Sequence, residues 1–244
     1  MKAAISISEL AASIMALPGP VVMMDTCSVL DIIRAGHRAD VSSLVVPAAA
    51  AFLLAANPPA RRGWIVALPQ VGTEWARHCA QEGSELRNKI TEAEILIEKF
   101  HSAAGIVTPY LTITFSALRS QTVDASLVAL SESVMNCAEV LSPEQELMMR
   151  ALERSLRRDA PAHKGGSIED CVIVEHYMEL TSVLRASKFT DACVFVSSNS
   201  RDFGPAGSPL PPLDAQFSSM GLEYVKDLSR ARTRINQLAG SQII

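Results

Sequence analysis

The chain lacks three features that would assign it quickly to a functional class: paired cysteines, an excess of positive charge and a long uninterrupted apolar run. Its five cysteines are scattered and none has a C-x-x-C partner, so neither a zinc ribbon nor a disulfide framework is expected. We interpret them as buried thiols in a reducing cytoplasm. The net charge is −4, so a nucleic-acid partner would need a local basic patch.

The most apolar stretch, Val41–Ala60, carries no charged residue. Pro47 interrupts it and the following prolines end it, which leaves a run that is short for a bilayer. We predict a buried core helix, with a membrane segment as the alternative. The first residues resemble a signal peptide superficially, but Glu9 breaks the apolar run and a short helix ending near Pro18 is expected.

Short apolar runs alternate with helical patterns along the remainder of the 244 residues. The predicted strands are Val21–Met24, Trp64–Pro69, Ala192–Ser197 and Gly221–Val225. The predicted helices are Thr73–Ala104, a stretch from Leu111 to about Val140, Pro143–Arg158 with Ser142 as N-cap, Cys171–Arg185 and Asp227–Leu238. This alternation predicts an α/β fold with a buried parallel sheet and an expanded helical layer.

The predicted domain organisation is simple. Residues 1–20 form an N-terminal helical segment, and residues 21–240 form one domain with a helical insertion at about 76–160. No internal repeat or low-complexity tract is present.

Four acidic residues lie at the predicted ends of strands or starts of helices: Asp25, Glu74, Asp170 and Asp202. The carboxyl ends of parallel strands share one edge of a sheet, and ligands bind along that edge. Carboxylates gathered there repel one another unless a divalent cation neutralises them, and oxygen ligands favour Mg²⁺ or Mn²⁺. Such an ion can activate a water and neutralise a leaving oxygen of a phosphodiester.

The same segments resemble the motifs of PIN domains. Val21–Leu30 is similar to the opening strand and its Asp-Thr pair, and Leu68–Glu74 to the family's segment ending in glutamate. Ile168–Glu175 resembles the helix that starts at the third acid, and Phe195–Phe203 the strand end that carries the fourth. The resemblance spans about Val21 to Leu228. It implies a three-layer α/β/α fold of a larger bacterial subgroup with a helical insertion.

The resemblance also implies an Mg²⁺- or Mn²⁺-dependent endoribonuclease that hydrolyses single-stranded RNA in the cytoplasm. Either the toxin of a toxin–antitoxin pair or an RNA-processing enzyme is expected, with an antitoxin protein or a second copy of the chain as partner and no membrane. Asp25, Glu74 and Asp170 match the first three acids. The family's aspartate at the fourth corner falls on Ser200, so Asp202 is the nearest acid and Asn199 a candidate further ligand.

Polar and basic residues beside these acids are candidate RNA contacts. They are Thr26, Ser198, Lys164 and Arg201. The arginines that precede Asp170, from Arg150 to Arg158, form either a solvated helix face or a phosphate-guiding surface. The two tryptophans are expected in the core instead of under a base.

Three alternatives stay open from the sequence. Each acid could be a helix cap or a first-turn residue favoured by the helix dipole. The chain could be a catalytically silent PIN-like module that binds RNA or protein, since Ser200 replaces an acid. A phosphatase acting through an aspartyl phosphate is less favoured, because position 27, two residues after Asp25, is Cys27 and not a second acid.

Overall fold

A computed structural model describes residues 2–59, 61–107, 117, 121–165, 167–205 and 207–239. Its centre is a six-stranded sheet in which every strand pair is parallel. The strands are β1 (Ala4–Ile5), β2 (Val21–Met24), β3 (Trp64–Ala67), β4 (Glu139–Leu141), β5 (Cys193–Val196) and β6 (Leu222–Val225). Their order across the sheet is β1-β4-β3-β2-β5-β6.

Ten α-helices surround the sheet among the described residues. They are α1 (Ile7–Ala16), α2 (Thr26–Arg34), α3 (Val45–Ala56), α4 (Pro69–Val107), α5 (Val123–Cys137), α6 (Gln145–Arg157), α7 (Ile168–Ala186), α8 (Ser200–Phe203), α9 (Leu213–Met220) and α10 (Leu228–Ala239). Helices α1, α6 and α9 pack on α7, whereas α2, α3, α4, α5 and α10 pack with one another. The predicted three-layer α/β/α architecture is confirmed.

The central strands form where the sequence has continuous apolar residues. Every residue of β2, β3 and β5 is buried, as expected for parallel strands covered on both faces. β6 lies at an edge and alternates between buried and half-buried residues. All four predicted strands are therefore present, each within two residues of its predicted bounds.

Two strands were not predicted. β4 occupies Glu139–Leu141, where the sequence pattern indicated the end of a helix, and it pairs with both β3 and β1. β1 belongs to the first twenty residues, so this segment contributes to the sheet as well as forming α1. The side chains of Leu10 and Ile14 on α1 are fully buried in the main core.

The helix boundaries differ from the prediction in two places. α4 begins at Pro69, four residues earlier than expected. The cap of α6 is Glu144 and not Ser142, because the Ser142 amide donates to the Ile5 carbonyl at 2.7 Å and extends the pairing of β1 and β4. Thr108-Pro109 and the stretch from Leu111 to Ser116, also assigned from sequence, lie outside the described residues.

The apolar stretch at Val41–Ala60 contains α3, whose Val45, Ala49 and Phe52 are buried in the main core. Within the described part of the chain, no helix combines the length and the apolar character needed to cross a membrane.

The chain direction across the sheet reverses between β2 and β5. From β2 the chain moves outward through β3 and β4, and it then returns to place β5 on the other side of β2. The carboxyl ends of two neighbouring strands diverge at such a switch point, and their loops leave a crevice for a ligand. Asp25 and Ser197 follow these two strands directly.

Candidate functional site

Asp25 lies at the switch point and is 3% exposed. It is the N-cap of α2, and its Oδ1 accepts a hydrogen bond from the Thr26 amide at 2.7 Å. Its Oδ2 accepts one from the Ser197 hydroxyl at 2.7 Å, across the gap between β2 and β5. Burial raises the pKa of Asp25 to about 6 despite these two hydrogen bonds, and the nearby Glu74 adds to the rise. The residue is a helix cap, but a cap alone does not require a second donor from a neighbouring strand.

Glu74 lies on α4, one and a half turns from its start. Its Oε2 accepts a hydrogen bond from the Thr26 hydroxyl at 2.7 Å. Thr26 thus connects two acids, since its amide binds Asp25 and its hydroxyl binds Glu74. Glu74 is exposed, so it forms the solvent side of the group.

Asp170 lies in the first turn of α7, which is capped by Ser167. Its pKa is raised to about 8, mainly by burial and then by the charges of Asp25, Asp202 and Glu74, in that order. The same three acids that the sequence places with Asp170 are therefore its electrostatic neighbours. This coupling is the clearest sign that the four acids meet at one place.

Asp202 lies on the short helix α8, which is anchored by the fully buried Phe203. The ring of Phe203 stands edge-on to that of Phe195 on β5, with centroids 5.0 Å apart. Asn199 caps α8: its Nδ2 donates to the Asp202 Oδ2 at 2.9 Å, and its Oδ1 accepts from the Asp202 amide at 3.3 Å. Asn199 thus has a defined local role, which is to hold Asp202.

The four candidate RNA contacts differ in their surroundings. Thr26 is buried and its hydroxyl is used by Glu74. Ser198 is half-buried and lies beside the Asp31 carboxylate. Lys164 and Arg201 are exposed, and the turn Ala162–Lys164 packs against α8. Arg201 directly precedes Asp202, and Lys164 lies in the turn that packs on the same helix, so we call these exposed cations near Asp202 the basic rim.

The arginines of α6 do not form a free basic surface. Arg154 is buried, with its Nε 2.7 Å from Glu175 Oε1. Arg150 pairs with Glu146 and Glu179, and Arg157 with Glu153. The phosphate-guiding alternative for these three arginines is therefore not supported, because carboxylates already neutralise them.

Two residues near the site were missed from the sequence. Ser197 is fully buried and holds Asp25, and its position one residue after β5, beside the residue that follows β2, could have indicated this. Arg77 is exposed on α4, close enough to Glu169 for its charge to lower the pKa of that carboxyl, in addition to the hydrogen bond from Ser167. Arg77 thus adds a third cation to the rim.

A second group of candidate metal ligands lies elsewhere. His37, Glu82 and Glu85 have ligand atoms that are all within 4.8 Å of one another, and no other set of three described His, Cys, Asp or Glu side chains meets this spacing. The four acids around Asp25 are therefore spaced more widely than this. A cation held by three of them would require the side chains to move closer together, and the exposed Glu74 can turn about the oxygen that Thr26 holds.

The cysteines take no part in either group. All five are free thiols. Cys79, Cys171 and Cys193 are buried as predicted, whereas Cys27 and Cys137 are only partly buried. Trp64 is buried as predicted, and its indole nitrogen donates to the Leu17 carbonyl. Trp75 is half-buried and packs against the core from its edge.

Comparison of the chain with protein-family models, with curated proteins and with solved structures finds no match.

Proposed function

We propose that this chain is a divalent-metal-dependent endoribonuclease of PIN type, which hydrolyses phosphodiester bonds of single-stranded RNA in the cytoplasm. The observation that carries the proposal is the electrostatic coupling of Asp170 to Asp25, Asp202 and Glu74 at the switch point of a parallel sheet. A structural role does not account for such a group, because gathering four carboxylates costs stability. Perturbed acids in a crevice are typical of functional sites.

The donor set fits Mg²⁺ or Mn²⁺. All of its ligand atoms are carboxylate or amide oxygens, which these hard cations prefer. Burial is the main cause of the raised pKa values of Asp25 and Asp170, but the charges of neighbouring acids contribute to both. A cation among these acids would remove that repulsion. When bound there, the ion would supply Lewis-acid activation of a water and neutralise charge on the phosphate.

The protein's own contribution is positioning. Ser197 and the Thr26 amide fix both oxygens of Asp25, and the Thr26 hydroxyl orients Glu74. Asn199 fixes Asp202. Arg77, Lys164 and Arg201 form an exposed basic rim that can hold the RNA backbone on an otherwise acidic protein.

The test is cleavage of a fluorescent single-stranded RNA in Mg²⁺ or Mn²⁺. We expect cleavage by the wild type, no cleavage after addition of EDTA, and a loss of at least a hundredfold in Asp25→Asn and Asp170→Asn. Asp214→Asn is the matched control, because Asp214 is exposed on α9 and should leave the rate unchanged. Cleavage that persists in Asp25→Asn, or that falls equally in the control, would contradict the proposal.

The catalytically silent module is the second candidate. It is favoured by the corner at Asn199, where the amide and not an acid occupies the cap and binds Asp202. Binding of the same RNA without cleavage, and with no response to millimolar Mn²⁺, would support this candidate instead.

A further inference from the structure

The group formed by His37, Glu82 and Glu85 joins two helices away from the four acids. His37 follows the end of α2, whereas both glutamates lie on α4. The His37 Nε2 is 3.9 Å from Glu82 Oε2 and 4.0 Å from Glu85 Oε2. Glu82 is eight residues beyond Glu74, which is about 12 Å along a helix.

The imidazole of His37 is buried without a hydrogen-bond partner. Its side chain is 5% exposed, and neither ring nitrogen has a partner among the described residues. Buried polar atoms in folded proteins are nearly always paired, so an unpaired ring facing two carboxylates needs an explanation. A cation between the ring and the carboxylates would provide one.

The carboxylate of Glu82 is already oriented toward the histidine. Its Oε1 accepts from Arg34 Nε at 2.8 Å, Arg34 Nη2 at 2.7 Å and Arg38 Nη2 at 3.0 Å. Its Oε2 has one longer contact, to Arg38 at 3.2 Å, and faces His37. Second partners of this kind fix the orientation of metal ligands. Arg38 also lies 3.9 Å from Glu85 Oε2, and Asp31 pairs with Arg34. Two arginines thus face three carboxylates, so the arginines do not leave the group positive.

We propose that His37, Glu82 and Glu85 bind a borderline transition-metal ion of the Zn²⁺ class. A neutral imidazole nitrogen beside two carboxylates suits Zn²⁺, whereas Mg²⁺ and Ca²⁺ select oxygen ligands alone. Tetrahedral Zn²⁺ ligands are about 3.4 Å apart, so the observed separations need to contract by roughly half an ångström or more. Glu85 is 43% exposed at its side chain and can rotate to do this.

The ion would connect α2 to α4, the two helices that carry Asp25 and Glu74. Its expected role is structural, since nothing in the group reaches the four acids. The site does not depend on the nuclease proposal.

The experiment is calorimetric titration of the full chain with Zn²⁺ at fixed pH, using variants that separate the two sites. In Asp170→Asn, where the acidic site is disabled, we expect one Zn²⁺ to bind with micromolar affinity. In Asp170→Asn/His37→Ala this binding should be lost. Asp170→Asn/His78→Ala, which removes a histidine of α4 outside the group, should keep it. A free Zn²⁺ concentration of about a hundred times the Kd should raise the Tm by about 5–10 °C, and only in the variants that keep His37.

A second measurement uses the wild type and needs no substitution. The ring nitrogens of His37 should shift in a ¹H–¹⁵N imidazole spectrum on addition of Zn²⁺ and should not respond to Mg²⁺. A His37 ring whose signals do not shift on addition of Zn²⁺ would overturn the proposal. Equal Zn²⁺ binding with and without His37 would overturn it too.

Discussion

Replacing an acid in the proposed active site should make the protein more stable. Asp170 has a pKa of about 8 in the folded chain, against an ordinary value of 3.8, because of burial and the neighbouring Asp25, Asp202 and Glu74. At a pH between these two pKa values, the folded state keeps a proton that the unfolded state releases. Raising the pH through this window therefore destabilises the folded protein, and lowering it restores stability.

The size of the effect follows from the pKa gap. At pH 7, which is roughly three units above the ordinary pKa, ionisation stabilises the unfolded carboxyl by about 4 kcal/mol, at 1.36 kcal/mol per unit. The folded carboxyl stays protonated at this pH, so ionisation stabilises it by almost nothing. Asn has a similar shape and cannot ionise, so Asp170→Asn removes this penalty. Because Asp170 is half-buried and can turn toward water, we expect a gain of about 2–4 kcal/mol in the free energy of unfolding at pH 7.

The assay is urea unfolding followed by circular dichroism, in EDTA, at pH 7 and pH 4. The stabilisation by Asp170→Asn should fall below about 1 kcal/mol at pH 4, where the unfolded carboxyl also holds its proton much of the time. Asp214→Asn, at an exposed position, should change neither value by more than about 0.5 kcal/mol. A destabilised Asp170→Asn at pH 7, or a stabilisation of equal size at both pH values, would refute the reasoning.

Three further predictions concern the residues around the acids and the core. Ser197→Ala removes a hydrogen bond that lowers the pKa of Asp25, so the Asp25 carboxyl of the metal-free protein should titrate about one unit higher in a ¹³C NMR titration. An unchanged titration of Asp25 would contradict the assigned role of Ser197. Thr26→Val keeps the side-chain shape but frees Glu74, and kcat should fall about 5- to 20-fold with the fold intact by circular dichroism. Arg154→Ala leaves Glu175 buried and unpaired, and it should lower the free energy of unfolding by about 3–5 kcal/mol in the urea assay. Arg157→Ala removes an exposed ion pair, and it should lower this free energy by less than about 1 kcal/mol.

The sequence predicted the central part of the fold because the physics there is local. β2, β3 and β5 are buried on both faces, so each is a continuous apolar run followed by a polar residue. β1 and β4 were missed because they have two and three residues and owe their existence to pairing with distant segments. The cap of α6 was misplaced for the same reason, since His176 on α7 accepts the hydrogen bond from the Glu144 amide.

The sequence predicted those residues of the candidate site that lie at the end of a strand or the start of a helix. Asp25 and Asp202 follow strands, and Asp170 begins a helix, which placed all three on one edge. The bridging role of Thr26 and the support from Ser197 depend on side-chain geometry between β2, α4 and β5, which no local pattern records. His37 and Glu82 lie 45 residues apart in the chain, and their proximity likewise results from the packing of α2 on α4.

Proton release on binding of Mn²⁺ is the measurement that tests the central claim most directly. Calorimetric titrations at pH 7 in two buffers of different ionisation enthalpy report it. The His37→Ala variant is used, so that the site proposed at His37 does not contribute to the binding. Since the pKa of Asp170 is about 8 before the cation binds, a ligand carboxylate must lose its proton, and release of about one proton per Mn²⁺ is predicted. Asp170→Asn should abolish that release. Absence of Mn²⁺ binding, or binding with no proton released, would contradict a metal site formed by Asp25, Glu74, Asp170 and Asp202.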